Sequence, residues 1–321
     1  MAKFGQMCLN TCPDGKVAVK LCALSIGIAL LAGPAAAVAS DLEDAVQCLK
    51  DAAAKKDAAE VKKVASSIRE MTCELIMSAP ADAEETKVWE ERVQYAKGVA
   101  AYVEGAIYAT AVQSPAAVLI DLVNVLEQQN PKSKFLDEAY GPYLVALNKT
   151  GAAAKIPAVA EKGLSNFPEN EDLLLVMTET SVTRKQSDRA LTYANRLIAS
   201  LNKHQKPEGM SAGDWDRKRT AGLTRGYWTA GVISAEKGQW MAADKNLRAA
   251  LPLVQGNAPM AGPALFYLGM ANYELGKMTL NKARVLEASK FSEQATAIEG
   301  PYQEQARHNA LVMKNEAAKM R

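Results

Sequence analysis

Residues 227–250 read YWTAGVISAEKGQWMAADKNLRAA, and residues 265–276 read LFYLGMANYELG. The two stretches share one skeleton. Tyr227, Ala230-Gly231 and Gly238 in the first answer to Leu265, Leu268-Gly269 and Gly276 in the second, and each glycine is 38 residues from its counterpart. In the first stretch Trp240, Ala243, Leu247 and Ala250 then follow at helical spacing. Such a pattern describes two antiparallel helices. Small residues at the crossing points (Gly231, Ala243, Ala250) let the backbones approach, and Tyr227 and Leu247 fill the neighbouring hollows. A glycine in the connecting turn supplies the positive φ that other residues resist. Gly238 and Gly276 are expected to be those turn glycines.

This skeleton resembles the tetratricopeptide repeat, a 34-residue helix–turn–helix unit. On that resemblance the last two units span 224–257 and 262–301, separated by a four-residue spacer at Ala258–Ala261. Two weaker matches precede them. Residues 137–170 carry Tyr140, a turn at Gly151 and a closing Pro168, with Pro142 and Pro157 expected to distort the helices. Residues 171–204 follow directly, with Asn170 as N-cap, Leu174, Ala190 and Ala194, and Lys185 in place of the turn glycine. A more degenerate unit covers 100–133. Its first helix runs long, from a capping box at Asp82-x-x-Glu85 through Trp89, Val93, Ala96, Val99 and Tyr102. The solenoid is thus expected over 81–301, with residues 205–223 as an insertion in which Ser211 or Asp214 marks a helix start and Trp215 opens a long first helix. In the last unit Ala288 stands twelve residues after Gly276 rather than five, which lengthens a helix by two turns. Residues 40–80 read as a helical hairpin turning near Lys55-Lys56, and 302–321 as a capping helix burying Ala306, Ala310, Met313 and Ala317. The resulting fold class is all-α, a right-handed α-solenoid of helical hairpins.

Residues 1–39 read as a secretory signal peptide. Lys3, Lys16 and Lys20 precede an uncharged stretch, Leu21–Ala39, which Gly33-Pro34 interrupts, and Ala37-Val38-Ala39 offers a cleavage site before Ser40. The protein is therefore expected in the periplasm or secreted; the alternative is an uncleaved anchor of an envelope assembly subunit, with membrane contact only if the segment is retained. Without residues 1–39, Lys+Arg falls from 38 to 35 and Asp+Glu from 36 to 35, so the net charge of +2 becomes zero. A chain without basic surplus does not read as a nucleic-acid binder. Of the five cysteines, Cys48 and Cys73 lie beyond residue 39. In a straight hairpin Cys48 faces a residue near Lys63, and Cys73 lies about ten residues, or ~15 Å, further on. A disulfide needs Cα atoms within about 7 Å, so two buried or partly buried thiols are expected.

His204 and His308 are the only histidines, and the chain carries no zinc-protease, nucleophile-elbow, phosphate-loop or Cys-x-x-Cys motif. No cofactor, metal or catalytic site is read, although a small-molecule binder or an enzyme with an unrecognised carboxylate site remains a rival class. What the resemblance implies is a scaffold or adaptor for a protein or peptide, held in the groove lined by first helices. Carried onto this chain, that groove presents Leu175 and Glu179, then Arg225, Trp228 and Val232, then Phe266, Met270 and Tyr273. The expected binding strip is Arg225, Trp228, Phe266, Met270 and Tyr273, with Arg225 as a possible anchor for a carboxylate. The alternative for Trp228 and Phe266 is packing against a neighbouring helix. The places of the family's carboxylate clamp hold Gly141, Leu175, Trp228 and Phe266, so acidic C-terminal tails are not expected ligands.

Overall fold

The computed structural model describes residues 34–80, 82–207 and 210–320. The charged and apolar stretches of the expected signal segment lie outside the described residues. Among those described there are thirteen α-helices and no strand. They divide into two compact units, one ending at Ile156 and the other beginning at Pro157.

The first unit contains α1 (Pro34–Ala54), α2 (Ala58–Met77), α3 (Ala83–Val112), α4 (Ala116–Gln129) and α5 (Lys134–Lys149). Successive helices pack as neighbours, and α1 with α3, α2 with α4, and α3 with α5 also touch. Leu42, Leu49, Ile68, Ile107, Leu122 and Leu136 are fully or almost fully buried between them. Burying such a side chain stabilises by about 1.5–3 kcal/mol. Asp82 accepts the Glu85 amide at 3.2 Å, so the capping signal read in the sequence starts α3. Pro142 lies within α5, which runs unbroken around it. Cys48 is exposed and Cys73 buried, neither in a disulfide. The expectation of two sheltered thiols is corrected for Cys48, which falls on the outer side of α1.

The second unit contains α6 (Ile156–Asn166), α7 (Glu171–Thr183), α8 (Ser187–Lys203), α9 (Ala212–Glu236), α10 (Trp240–Ala250), α11 (Ala258–Met278), α12 (Lys282–Thr296) and α13 (Gln303–Lys319). Pro157 falls in the first turn of α6, where its missing N–H costs nothing. From α7 onward neighbours pack as hairpins, and the odd-numbered helices α7, α9, α11 and α13 also touch in succession. They form one layer, with α8, α10 and α12 behind it.

One turn recurs in both units. Lys56, Gly151, Lys185, Gly238 and Leu280 all have φ between 52° and 75°. In each case the next amide (Asp57, Ala152, Gln186, Gln239, Asn281) donates to the carbonyl five residues back, at 2.8–3.0 Å. This left-handed cap closes the orphan carbonyls of one helix and reverses the chain within three residues. Gly151 and Lys185 are 34 residues apart. Gly238 follows Lys185 by one such period plus the 19 residues Gln205–Leu223.

The last turn corrects the sequence expectation. Gly276 is helical, and the left-handed residue is Leu280. The helix α11 continues to Met278, beyond the end its glycine spacing suggests, so four of the seven extra residues are spent before α12 begins. Of the glycines in the 38-residue repeat, Gly238 marks a turn, whereas Gly231, Gly269 and Gly276 mark packing. A Cβ on Gly231 would fall 2.5 Å from Leu247 Cγ, one on Gly269 would fall 2.5 Å from Ser292 Oγ, and one on Gly276 would fall 3.0 Å from the Val285 backbone N. Each glycine lets a helix close on its hairpin partner.

In α9 two packing registers are joined end to end. Its first half closes on α8, where a Cβ at Gly222 would fall 2.5 Å from Leu201 Cδ1 and one at Gly226 would fall 2.9 Å from Ile198 Cγ1. Arg219 Nε also donates to the Leu201 carbonyl at 3.0 Å. Its second half closes on α10 through Gly231. Most of the sequence insertion is therefore the first half of α9, entered through a Ser211 cap that accepts the Asp214 amide at 3.1 Å.

Candidate interaction surface

The layer α7–α9–α11–α13 leaves one side partly open to solvent. On α7 that side carries Leu175 and Glu179; on α9 it carries Arg225, Trp228, Val232 and Glu236; on α11, Tyr267, Met270 and Glu274. The i, i+3, i+4, i+7 spacing keeps each set in line along its helix. Side chains from adjacent helices meet across it. Arg225 Nε lies 3.2 Å from Glu179 Oε1, and its guanidinium stands 5.7 Å over the Trp228 ring. The Tyr267 hydroxyl donates to Glu236 Oε1 at 3.2 Å, and its ring meets that of Tyr302 edge-on at 5.6 Å. Asn309 Nδ2 donates to Met270 Sδ at 3.4 Å, and the Tyr273 hydroxyl donates to Glu316 Oε2 at 2.6 Å.

These contacts place the five residues of the expected strip. Trp228 is half-buried, with Nε1 donating to the Met260 carbonyl at 2.8 Å, so the indole fills the seam between α9 and α11. Phe266 holds the equivalent place on α11. Its ring lies 4.8 Å from that of Tyr302 and it is 5% exposed, so it fills the seam to α13. Phe266 is thus packed away, whereas Trp228 packs along the seam and stays partly exposed on the open side. Arg225, Met270 and Tyr273 stay partly accessible. Tyr267, Glu236, Glu274 and Tyr302 belong to the same surface, although the repeat resemblance does not point to them. Tyr267 lies three residues before Met270 and Glu274 four after it, and that helical spacing is their signal in the sequence.

No family model matches the chain, and no curated protein matches it.

The surface is acidic in balance: Glu179, Glu236, Glu274 and Glu316 face Arg225 and Lys277. Burial, then the bond to Glu316, pushes the Tyr273 hydroxyl up to about 12. Burial, then Tyr302 and Glu236, raises that of Tyr267 as well. Both phenols therefore stay protonated and act as donors that aim carboxylates. Carboxylates aimed in this way retain free lone pairs for cationic or N–H groups, and the rings beside them offer π faces.

Two further polar clusters lie elsewhere in the unit. Asn272, fully buried on α11, accepts from Arg248 Nη2 and Arg284 Nε at 3.0 Å each and donates to Asp244 Oδ1 at 2.7 Å. Arg248 also pairs with both Glu287 oxygens at 2.8–2.9 Å, which ties α10, α11 and α12 on the side away from the open surface. At the end of α8, His204 stands between Glu171 (Nδ1–Oε1 2.5 Å) and Glu169 (Nε2–Oε2 3.3 Å). Lys218 closes the same cluster against Asp172 at 2.7 Å. Among the described residues no group of three or more His, Cys, Asp or Glu is placed to hold a metal ion, and no helix is long and apolar enough to cross a membrane.

Proposed function

We propose that this protein is an exported tetratricopeptide-like scaffold that holds a protein or peptide partner on the open side of α7, α9, α11 and α13. The observation that carries it is that surface: four touching helices present a line of half-exposed aromatic and sulfur side chains bordered by carboxylates. The recurring left-handed turn, 34 residues apart at Gly151 and Lys185, supports the repeat assignment. So do the close glycine crossings at Gly231 and Gly269. Repeats of this kind, stacked as a right-handed α-solenoid, use the layer of first helices to line a binding face. The partner segment that fits is extended and basic, its Lys or Arg side chains meeting Glu179, Glu236, Glu274 and Glu316 and its apolar side chains lying on Trp228, Tyr267 and Met270. Export rests on the signal pattern in residues 1–39, which puts the partner in the cell envelope or outside it.

Affinity capture from an envelope extract tests this. The bait is the full chain expressed in an exporting host, and its N-terminus is read by mass spectrometry. A start at Ser40 together with a reproducible partner is the expected result. The triple reversal Glu179→Lys, Glu236→Lys, Glu274→Lys is expected to release that partner while the helical circular-dichroism signal holds. Equal capture by the charge-reversed protein would overturn the assignment of the surface, and a retained N-terminus would overturn cleavage.

A further inference from the structure

In the second unit each helix of the layer α7, α9, α11 and α13 is separated from the next by an antiparallel return, so their C-terminal ends lie together at one end of the layer. Side chains tie these ends to one another. Lys237, after α9, pairs with Asp188 at the start of α8. Arg284 Nη2 on α12 donates to Asp244 Oδ2 on α10 at 2.8 Å, and Lys282 Nζ donates to the Met320 carbonyl at 2.9 Å. Among the described residues the three most exposed large apolar side chains stand on these tips: Leu280 (82%), Met241 (76%) and Met278 (74%). The same tips are basic. Arg184 and Lys185 follow α7, Lys237 follows α9, Lys277 and Lys282 flank the turn after α11, and Lys319 ends α13, all exposed. Asp188 is matched to Lys237, and Glu274, one turn back on α11, to Lys277. Glu236 and Glu316, also one turn back, accept from the Tyr267 and Tyr273 hydroxyls. These four carboxylates stand against six cations, so the end keeps a positive surplus. A helix C-terminus attracts cations by itself, but it gives no reason to hold Met and Leu side chains out in water.

We infer that this end of the second unit docks on an anionic lipid surface, with Met241, Met278 and Leu280 dipping into the headgroup layer and the Lys and Arg side chains meeting lipid phosphates. Such binding grows with the apolar area withdrawn from water and with the charge attraction, and the tips supply both. Met241 projects from the turn after α9, and Met278 and Leu280 from the turn after α11. Separate projections suit a fluid surface that closes around each of them, whereas a folded partner needs a matching hollow for each. The contact requires neither a spanning helix nor the N-terminal segment. It also leaves the open side of the layer clear, so the lipid contact and the protein-binding surface can be tested apart.

The test is sedimentation of the full chain, expressed in an exporting host, with vesicles of phosphatidylcholine alone or mixed with phosphatidylglycerol. The mixed vesicles are expected to bind it at least about tenfold more tightly. That preference should fade at high salt, where the surface charge is screened. A cation near an anionic surface is worth roughly fivefold in affinity, so Arg184→Gln/Lys282→Gln/Lys319→Gln is expected to lose roughly a hundredfold. Met241→Ser/Met278→Ser/Leu280→Gly removes the dipping side chains and is expected to weaken binding at least about tenfold at low salt. All six places are exposed, and circular dichroism of both variants confirms that they are folded. Absence of binding to the mixed vesicles would overturn the inference and leave a protein as the occupant of these tips. Equal binding to both vesicles would overturn it too. So would binding that survives either variant, which would place the contact elsewhere, as on a retained N-terminus. None of the substituted residues is among Glu179, Glu236 and Glu274, so this test and the partner capture fail separately.

Discussion

The turn between α11 and α12 allows two substitutions four residues apart to be set against each other. Leu280 has φ of 52° and its side chain is 82% exposed, so it holds a left-handed backbone and buries almost nothing in return. An L residue in that region is disfavoured by roughly 1–2 kcal/mol, and glycine is not. The added freedom of glycine in the unfolded chain gives back about 0.5–1 kcal/mol. Leu280→Gly is therefore expected to stabilise the second unit by about 0.5–1 kcal/mol. Gly276→Ala should do the opposite. A helical alanine gains about 1 kcal/mol in propensity. Its Cβ, however, would lie 2.7 Å from Val285 Cγ2, 3.0 Å from the Val285 N and 3.2 Å from the Asn281 carbonyl oxygen. Two of those three atoms are backbone, so relief requires α12 to move away, and overpacking of this kind costs about 1–3 kcal/mol. The net expectation is a loss of up to about 2 kcal/mol. Urea unfolding followed by circular dichroism gives both signs directly, and a difference of 1 kcal/mol moves Tm by about 2–4 °C in a unit of this size. If Leu280→Gly destabilises, Leu280 does not hold the left-handed turn and α11 does not run on to Met278; if Gly276→Ala stabilises, Gly276 is not pressed against α12.

Three other outcomes are expected. Burial opposes the charge on His204, but hydrogen bonds to Glu171 and Glu169 outweigh it and raise its pKa above the ordinary value of about 6.5. The stabilisation it adds is complete below that unfolded value and is lost as pH rises through the higher folded one. Thermal unfolding should show a loss on going from pH 6 to pH 9 that His204→Gln abolishes, and an unchanged profile in that variant would remove His204 from the cause. Lys203, on Glu169, and Lys218, on Glu171 and Asp172, face the same cluster. Phe266→Ala empties an enclosed seam and should cost about 3–5 kcal/mol in chemical unfolding, whereas a loss below about 1 kcal/mol would mean that the ring is not packed between α11 and α13. In the native protein Cys48 should react with a maleimide within minutes and Cys73 far more slowly; comparable rates would contradict the burial of Cys73.

Much of the helix layout is legible in the sequence because it depends on short-range signals. Asp82, Asn170 and Ser211 are side chains that cap a helix wherever the chain turns into one, and all three do so in the structure. The periodic alanines of α13 likewise announce the face it buries. The length of α11 is not legible. Nothing local stops a helix between Gly276 and Met278, and the position of the turn is set by how α12 packs, which is a tertiary matter. For the same reason the burial of Phe266 in a seam is not legible. Trp228 and Phe266 sit three residues before a crossing glycine, and only the neighbouring helix decides whether such a place is a groove or a seam. Tyr267 and Glu274 join the open surface only because α13 occupies the flank of α11.

The end-to-end registers of α9 have a mechanical consequence. One continuous helix of 25 residues is gripped by α8 along its first half and by α10 along its second. A chain of separate hairpins can flex at every joint, but in this unit two successive hairpins share a single shaft. Displacement entering at the loop before Ser211 would travel along that shaft without an intervening hinge, so the α8 and α10 hairpins would tilt together. The portion of the open surface carried by Arg225, Trp228 and Glu236 lies on this stiff element, and a partner seated there would meet a rail that holds its spacing under load.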